Sequence, residues 1–374
     1  MTSKKDRSKA SKHPSLRVAS RHRRSSREEL SSSRHSSRSL WFSAPRTTEI
    51  RESPLRRPGE GEARIRALYS GISQGTERLV YRGEVPADLP LDLTIPTIEG
   101  SFAFPIKYGY SSVGRVVEAG RGLDGFTEGD LVLAFNPHES EYVIHSEFAV
   151  KLPEGIDPRR GVFLANMETA INAMLDAAPR IGERIVIFGQ GVVGLLITQL
   201  AARMGASLII TVEPVKKRRA LSLALGADFT VNPVIENIDA RIRQLTEGAG
   251  SDVTIEASGQ SAALDEAVKV AAIDGRVIVV SWYGTKQAPL ALGDAFHRNR
   301  ITIKSSQVSN LDPNLSPRWT TRRRRELALS YLGKLRLDEL ITHTFSFEDA
   351  AAAYRLVDEG SEDALQIIFD YEFS

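Results

Sequence analysis

The sequence predicts a two-domain α/β protein in which a small β unit is followed by a doubly wound parallel sheet. Three observations support this. A chain of 374 residues is long for one core and short for three ordinary domains. Its early texture, short alternating strands punctuated by Gly and Pro, gives way to near-continuous apolar β runs that alternate with amphipathic helical stretches. A glycine-rich turn stands where the first of those apolar runs meets a helix.

The first segment, residues 1–39, is rich in Ser, Arg and Lys and poor in large apolar side chains, so it cannot bury enough surface to offset the entropy of ordering. It reads as a disordered basic extension: a polyanion-binding arm, a transit peptide, or an inert addition from a misassigned start. Residues 1–38 hold twelve Lys/Arg against Asp6, Glu28 and Glu29, a net +9; with +2 for the whole chain, the rest carries −7. The folded body is therefore acidic and is not expected to bind nucleic acid. No apolar run reaches eighteen residues and the N-terminus lacks a secretory pattern, so neither membrane insertion nor export is expected and a cytoplasmic location follows. The chain has no cysteine, which excludes disulfides, thiolate nucleophiles, iron–sulfur clusters and every Cys-ligated zinc site.

Residues 40–165 carry the alternating strands "SLWFSAP", "TTEIRE", "EARIRALYSGIS", "SVGRVVEAG" and "DLVLAF". Residues 166–308 carry "RIVIFG", "SLIITVE", "DFTVNP", "DVTIEASG", "RVIVVSWYG" and "ITIKSSQV", separated by helical stretches that include "VVGLLITQLAARMG" and "SAALDEAVKVAAIDG". Residues 309–374 add two helical patterns, "RRRRELALSYLGKL" and "FEDAAAAYRLVDEG", and a last strand, "ALQIIFDY".

Gly189-Gln190-Gly191-Val192-Val193-Gly194 follows "RIVIF" and opens a helix. This is the Rossmann dinucleotide fingerprint: Gly189 for the tight turn, Gly191 for close approach to a pyrophosphate, Gly194 for helix–strand packing. Val192 and Val193 lie within the same turn. Glu213 closes the second strand nineteen positions after Gly194, where a carboxylate can take the adenosine ribose. That favours NAD over NADP, although Lys216, Lys217, Arg218 and Arg219 follow at once and could neutralise a 2′-phosphate. Among them Arg218 is assigned to the cofactor.

The segment order from Leu40 onward resembles the medium-chain dehydrogenase/reductase family, in "GERIVIFGQGVVGLLITQLAARMGA", "LALGADFTVNP" and "LITHTFSFEDAAAAYRL" with "ALQIIFDY". The resemblance implies a GroES-like catalytic domain (40–165, completed by 309–374) around a Rossmann domain (166–308), a small-molecule substrate, and a homo-oligomer, a dimer in the family. Ser70-Gly71-Ile72-Ser73-Gln74-Gly75-Thr76-Glu77 is similar to the matching stretch of hydroxyethyl bacteriochlorophyllide a dehydrogenases, so a tetrapyrrole alcohol is one implied substrate. The expected function is that of an NAD(P)-dependent oxidoreductase, zinc-independent hydride transfer between nicotinamide and a secondary alcohol or ketone of unknown identity; the tetrapyrrole alcohol dehydrogenase and a dinucleotide-binding protein without catalysis are its alternatives.

Zinc-dependent members carry a Cys, a His and a third Cys or Glu. Ser73 and Tyr110 stand at the first two places here, and Ala165 or Asn166 at the third. A hydroxyl and a phenol are poor zinc ligands, so no zinc is expected. Glu168 alone does not rebuild a site. The cluster His138, Glu139, Glu141 and His145 has no standard ligand spacing. Gln366 occupies the place of the family's pyrophosphate-contacting Arg.

Without a metal, hydrogen-bond donors must stabilise the charge that develops on the substrate oxygen. Tyr110 is the expected proton donor, Ser73 its orienting partner and Thr76 a relay hydroxyl, with Ser111, His138 and His297 as alternatives. Thr169, early in the helix after "ANME", is placed near the cofactor by resemblance. Arg322 to Arg325 open a helix against its dipole, which suits an anionic partner or a solvated face.

Overall fold

The structure is a computed structural model that describes residues 35–91, 97–98 and 100–372. The expected disorder of the basic extension falls on residues outside that set, except at its end. There the sequence-based boundary is wrong: β1 (Ser36–Ala44) begins four residues before Leu40 and pairs antiparallel with β2 (Thr47–Pro54), Ser36 opposite Pro54. Ser37 and Ser39 are buried in that pairing, and their small polar side chains gave no sign of a strand.

The β unit continues with β3 (Glu62–Ile72), α1 (Gln74–Arg82), β4 (Ile106–Lys107), β5 (Ser112–Ala119), β6 (Leu131–Ala134), β7 (Glu141–His145) and β8 (Ala149–Lys151). Strand alternation buries Ala63, Ile65 and Ala67 of β3 against Val116, Val132 and Ile144, as a half-covered antiparallel sheet requires. A short α2 (Pro158–Gly161) leads into α3 (Leu164–Ala177). This helix is the seam of the molecule. Its Met167, Ile171 and Met174 share one buried cluster with Val113 and Leu133 on one side and Ile187 and Leu196 on the other. The 165/166 boundary therefore falls inside its first turn.

The second sheet is built from β9 (Arg184–Phe188), α4 (Val192–Ala201), β10 (Leu208–Val212), α5 (Lys216–Ala224), β11 (Phe229–Val231), α6 (Ile238–Leu245), β12 (Ser251–Glu256), α7 (Ser261–Lys269), β13 (Ala271–Val279) and β14 (Thr302–Ser305). Its strands run parallel in the order β11-β10-β9-β12-β13-β14. Reversal of strand order between β9 and β12 makes a crevice at their carboxyl ends, where α/β sheets bind ligands. The stretch "SAALDEAVKVAAIDG", which its pattern predicts to be helical throughout, is helical only over Ser261–Lys269. The helix stops at Lys269, and Ala271 pairs with Ser251 across a bulge, because the apolar "VAAI" run fits a buried strand as well as a helix.

The chain then returns to the β unit through α8 (Thr321–Leu332), β15 (Ile341–Ser346), α9 (Ala350–Glu359) and β16 (Gln366–Asp370). β16 lies antiparallel to β3, with Phe369 opposite Ser70. The C-terminal segment thus completes the first sheet, in the order β15-β16-β3-β5-β6-β8. Among the described residues, no helix is long and apolar enough to cross a membrane.

Candidate functional site: a dinucleotide cleft faced by a hydroxyl pair

A cleft of about 750 Å³ opens at the β9/β12 crevice and is lined by Gly189, Gly191, Val192, Val193, Glu213 and Arg218. The three glycines are needed for three different reasons. Gly189 has φ +86°, and a Cβ there would lie 2.6 Å from the Ser258 Cα, so only glycine makes this turn. A Cβ at Gly194 would lie 2.0 Å from the Gly189 carbonyl oxygen, so α4 can approach β9 only without one. A Cβ at Gly191 would meet no protein atom within 4 Å, and its φ of −73° suits any residue. What that position spares is cleft space above the first amides of α4, where an anion is favoured.

Glu213 is buried. Its Oε2 accepts from the Gln190 amide at 2.7 Å and its Oε1 from the Val215 amide at 3.0 Å, so the carboxylate is locked beside the glycine turn. The basic run after it is mostly occupied. Lys217 pairs with Asp363, Arg219 donates to the Glu213 carbonyl at 2.8 Å, and Arg218 donates to the Ala364 carbonyl at 2.8 Å.

The facing wall comes from the β unit: Ile72, Ser73, Gln74, Gly75 and Arg78, with Asn166 of α3 beside them. Tyr110 donates a hydrogen bond to the Ser73 hydroxyl from behind. The preceding Gly109 has φ +122°, and a Cβ there would lie 2.8 Å from the His138 ring, so the backbone that presents Tyr110 depends on glycine. Thr76, half-buried on α1, hydrogen-bonds neither hydroxyl among the described residues, and Ser111 donates instead to the Val162 carbonyl at 2.7 Å. Thr169 donates to the Ala165 carbonyl at 3.1 Å within α3; Asn166, one residue after that carbonyl, is the α3 side chain that reaches the cleft.

Beneath Ser73 lies a polar network with no local sequence signature. The Ser73 amide donates to Glu77 Oε1 at 2.7 Å, and Glu77 Oε2 is 3.0 Å from His138 Nε2 and accepts from the Tyr354 hydroxyl. His138 Nδ1 is 2.7 Å from the Ser70 hydroxyl, which is 2.9 Å from that of Tyr371. Glu77 and His138 are fully buried. Burial and the Glu77 charge hold the Tyr354 phenol well above its usual range, so it acts as a donor. With both ring nitrogens engaged, His138 is committed to this network, and His297 is exposed at the surface.

The other sequence candidates are accounted for structurally. Arg324 is buried and reaches Glu168 at 3.4 Å, the Asn172 side chain at 2.7 Å and the Val308 carbonyl; Arg325 lies over the Phe135 ring. Glu139 binds Lys107, and Glu141 binds Arg64 and Arg66. Gln366 is buried and donates to the Ile72 and Ile367 carbonyls. Among the described residues, no three His, Cys, Asp or Glu side chains gather in a way that could hold a metal ion.

Residues 192–321 match the family model of zinc-binding dehydrogenases. The chain is 28% identical over 352 residues to D-guloside 3-dehydrogenase of Escherichia coli K12, covering 88% of this chain and 98% of that protein. It is 27% identical over 344 residues to L-threonine 3-dehydrogenase of Pyrococcus abyssi, covering 83% of this chain and 92% of that protein. An Escherichia coli CFT073 alcohol dehydrogenase solved with NADH superposes with a TM-score of 0.73 at 19% identity, over 90% of this chain and 99% of that one. The fold is thus a GroES-like β domain joined to a Rossmann domain.

Proposed function

We propose that this chain, an NAD(P)-dependent dehydrogenase of the medium-chain type, interconverts a secondary alcohol and its ketone without zinc, through the Ser73–Tyr110 hydroxyl pair. The observation that carries the reading is the place of that pair, with Ser73 on the cleft wall that faces the glycine turn and Tyr110 behind it. The donor set argues against a metal at this place: two neutral hydroxyls bonded to each other, in a cleft that the Asn166 amide also lines, are weak ligands for Zn²⁺.

When bound, the nicotinamide supplies the hydride donor or acceptor. The chain supplies binding and the proton. The Gly189–Gly194 turn and the start of α4 hold the phosphates, and Glu213 with Arg218 takes the adenosine ribose. Because the Tyr110 proton is given to Ser73, the Ser73 proton is left to donate to a substrate oxygen. In the reducing direction the nascent alkoxide takes that proton while Ser73 takes one from Tyr110, and solvent restores the phenol. Oxidation runs the same transfers backwards. Thr76 joins the relay only if its side chain turns towards Ser73.

A planar substrate of the hydroxyethyl chlorin kind, implied by the Ser70–Glu77 stretch, has one supporting feature. Tyr110 packs 6.2 Å from Tyr108, and Phe102 lies 5.7 Å from both Tyr108 and Trp282, a row of rings ending on a Trp282 that is 38% exposed. The pair itself is tested with Tyr110→Phe and Ser73→Ala. Each should lower kcat by roughly a hundredfold and leave the NADH dissociation constant unchanged. Near-wild-type turnover in both variants would remove the pair from the chemistry.

A further inference from the structure

The cleft holds a cation that the fold leaves unused. Arg78 lies one turn after Gln74 on α1, lines the cleft and is half-buried. Among the described residues its guanidinium makes no hydrogen bond and no ion pair. The nearby carboxylates are taken: Asp358 binds Arg82 and Arg46, and Glu84 stands 3.7 Å from Arg82. The Arg78 Nη1 would lie 3.5 Å from a methyl placed on Gly360. Arg218 reaches the same turn from the Rossmann side through the Ser361 and Ala364 carbonyls, with its own Nε buried and unpartnered.

Burial, then the like charge of Arg82 and, more weakly, of Arg218, pushes the Arg78 guanidinium below its usual pKa, though a guanidinium remains charged at neutral pH. A half-buried cation beside the like charges of Arg82 and Arg218, with Glu84 and Asp358 only partly offsetting them, gains when an anion meets it. Among the described residues, no other side chain on this wall offers such a charge. Gln74 gives its amide to the Leu365 carbonyl and Gln366 gives its own to Ile72 and Ile367. Across the cleft, the glycine turn and the first amides of α4 are built to receive phosphate.

We propose that Arg78 is a cofactor-binding residue that closes on the dinucleotide pyrophosphate from the catalytic side, opposite the Gly189–Gly194 turn. The inference rests on the cofactor reading above. A pyrophosphate is favoured over the 2′-phosphate of NADP because the locked Glu213 carboxylate repels a dianion at the ribose.

The test is titration of the full-length wild type, Arg78→Met and Arg78→Lys with NADH, NADPH, ADP-ribose and adenosine, with thermal melting of each apo protein. Arg78→Met should weaken NADH, NADPH and ADP-ribose alike by about tenfold to a hundredfold, the range of a charge-assisted hydrogen bond. It should leave adenosine binding and the melting temperature unchanged. Arg78→Lys should recover part of the loss, since the charge returns without the fork geometry. Unchanged ADP-ribose affinity in Arg78→Met, or a loss confined to NADPH, overturns the assignment. A wild type that binds none of the dinucleotides overturns the cofactor reading instead.

Discussion

Exchanging two glycines five and two residues into the same turn separates a binding requirement from a packing requirement. In Gly194→Ala the new Cβ falls 2.0 Å from the Gly189 carbonyl oxygen. That carbonyl cannot swing away cheaply, because the Gly189 amide is tied to Val212 at 2.9 Å and the carbonyl itself accepts from the Gln190 side chain at 3.0 Å. Overpacking of this kind costs about 1–3 kcal/mol, and here the clash is with backbone, so the upper end applies. In Gly191→Ala the Cβ meets no protein atom and φ is −73°. Reduced unfolded-state entropy favours alanine by about 0.4–1 kcal/mol. Loss of a tolerated helix N-cap opposes it by a similar amount. Apo stability should therefore stay within roughly 1 kcal/mol of wild type, while the methyl occupies space a pyrophosphate needs and costs about tenfold or more in NADH affinity. Urea unfolding of the apo proteins and nicotinamide fluorescence titration measure the two quantities separately. A Gly191→Ala protein that binds NADH as wild type does, or a Gly194→Ala protein of unchanged stability, would refute the argument.

Three further outcomes are expected. Glu213→Ser should weaken NADH more than NADPH in the same titration; an unchanged ratio would shift the determinant to Lys216–Arg219. The purified protein should carry far less than one zinc per chain and keep its turnover in chelator, so one tightly bound zinc by elemental analysis would end the metal-free reading. Glu62 is held down to about 2 by the Arg56 hydrogen bond and by the Gly59 amide, against a usual 4.5, so its contribution is present above pH 4.5 and is lost as pH falls towards 2. Since Arg56 is 60% exposed, that contribution is below about 1 kcal/mol, and Glu62→Gln should flatten the acid limb of the stability curve only between those pH values.

The residues that could be placed from the sequence are those whose physics is local. Gly189, Gly191, Gly194 and Glu213 act within one strand–turn–helix–strand unit, so spacing alone locates them, and all four line or shape the cleft. The basic run at Arg322–Arg325 was ambiguous for a different reason. Composition cannot say which of four adjacent arginines turns inward, and it is Arg324, because its position on α8 faces Glu168 and Asn172 of α3. Arg78 gave no signal at all, as a single Arg on an amphipathic helix is ordinarily solvated. Its meaning depends on which carboxylates its neighbours have already taken.

The same limit explains the network under Ser73 and shows what it accomplishes. Ser70, Glu77, His138, Tyr354 and Tyr371 come from β3, α1, the segment before β7, α9 and the chain's end, with up to 301 residues between bonded partners. No periodicity links them, so only the closure of β16 onto β3 brings them together. A metal in such a cleft would serve two purposes, tethering the side chains around it and polarising an oxygen. On the zinc-free reading these purposes are divided. Glu77 grips the Ser73 amide at 2.7 Å and is itself fixed by His138 and Tyr354, so the backbone that carries Ser73 is tethered from below by fully engaged buried groups. The polarising task then falls to the Ser73 hydroxyl and to Tyr110, which supplies it with a proton. A Glu77→Gln exchange acts on the tether and not on that donor. It should therefore loosen the geometry of Ser73, raising KM and lowering kcat together, whereas Tyr110→Phe lowers kcat alone. If Glu77→Gln instead reproduced the Tyr110→Phe profile, the buried network would belong to the proton path and the division between tether and donor would fail.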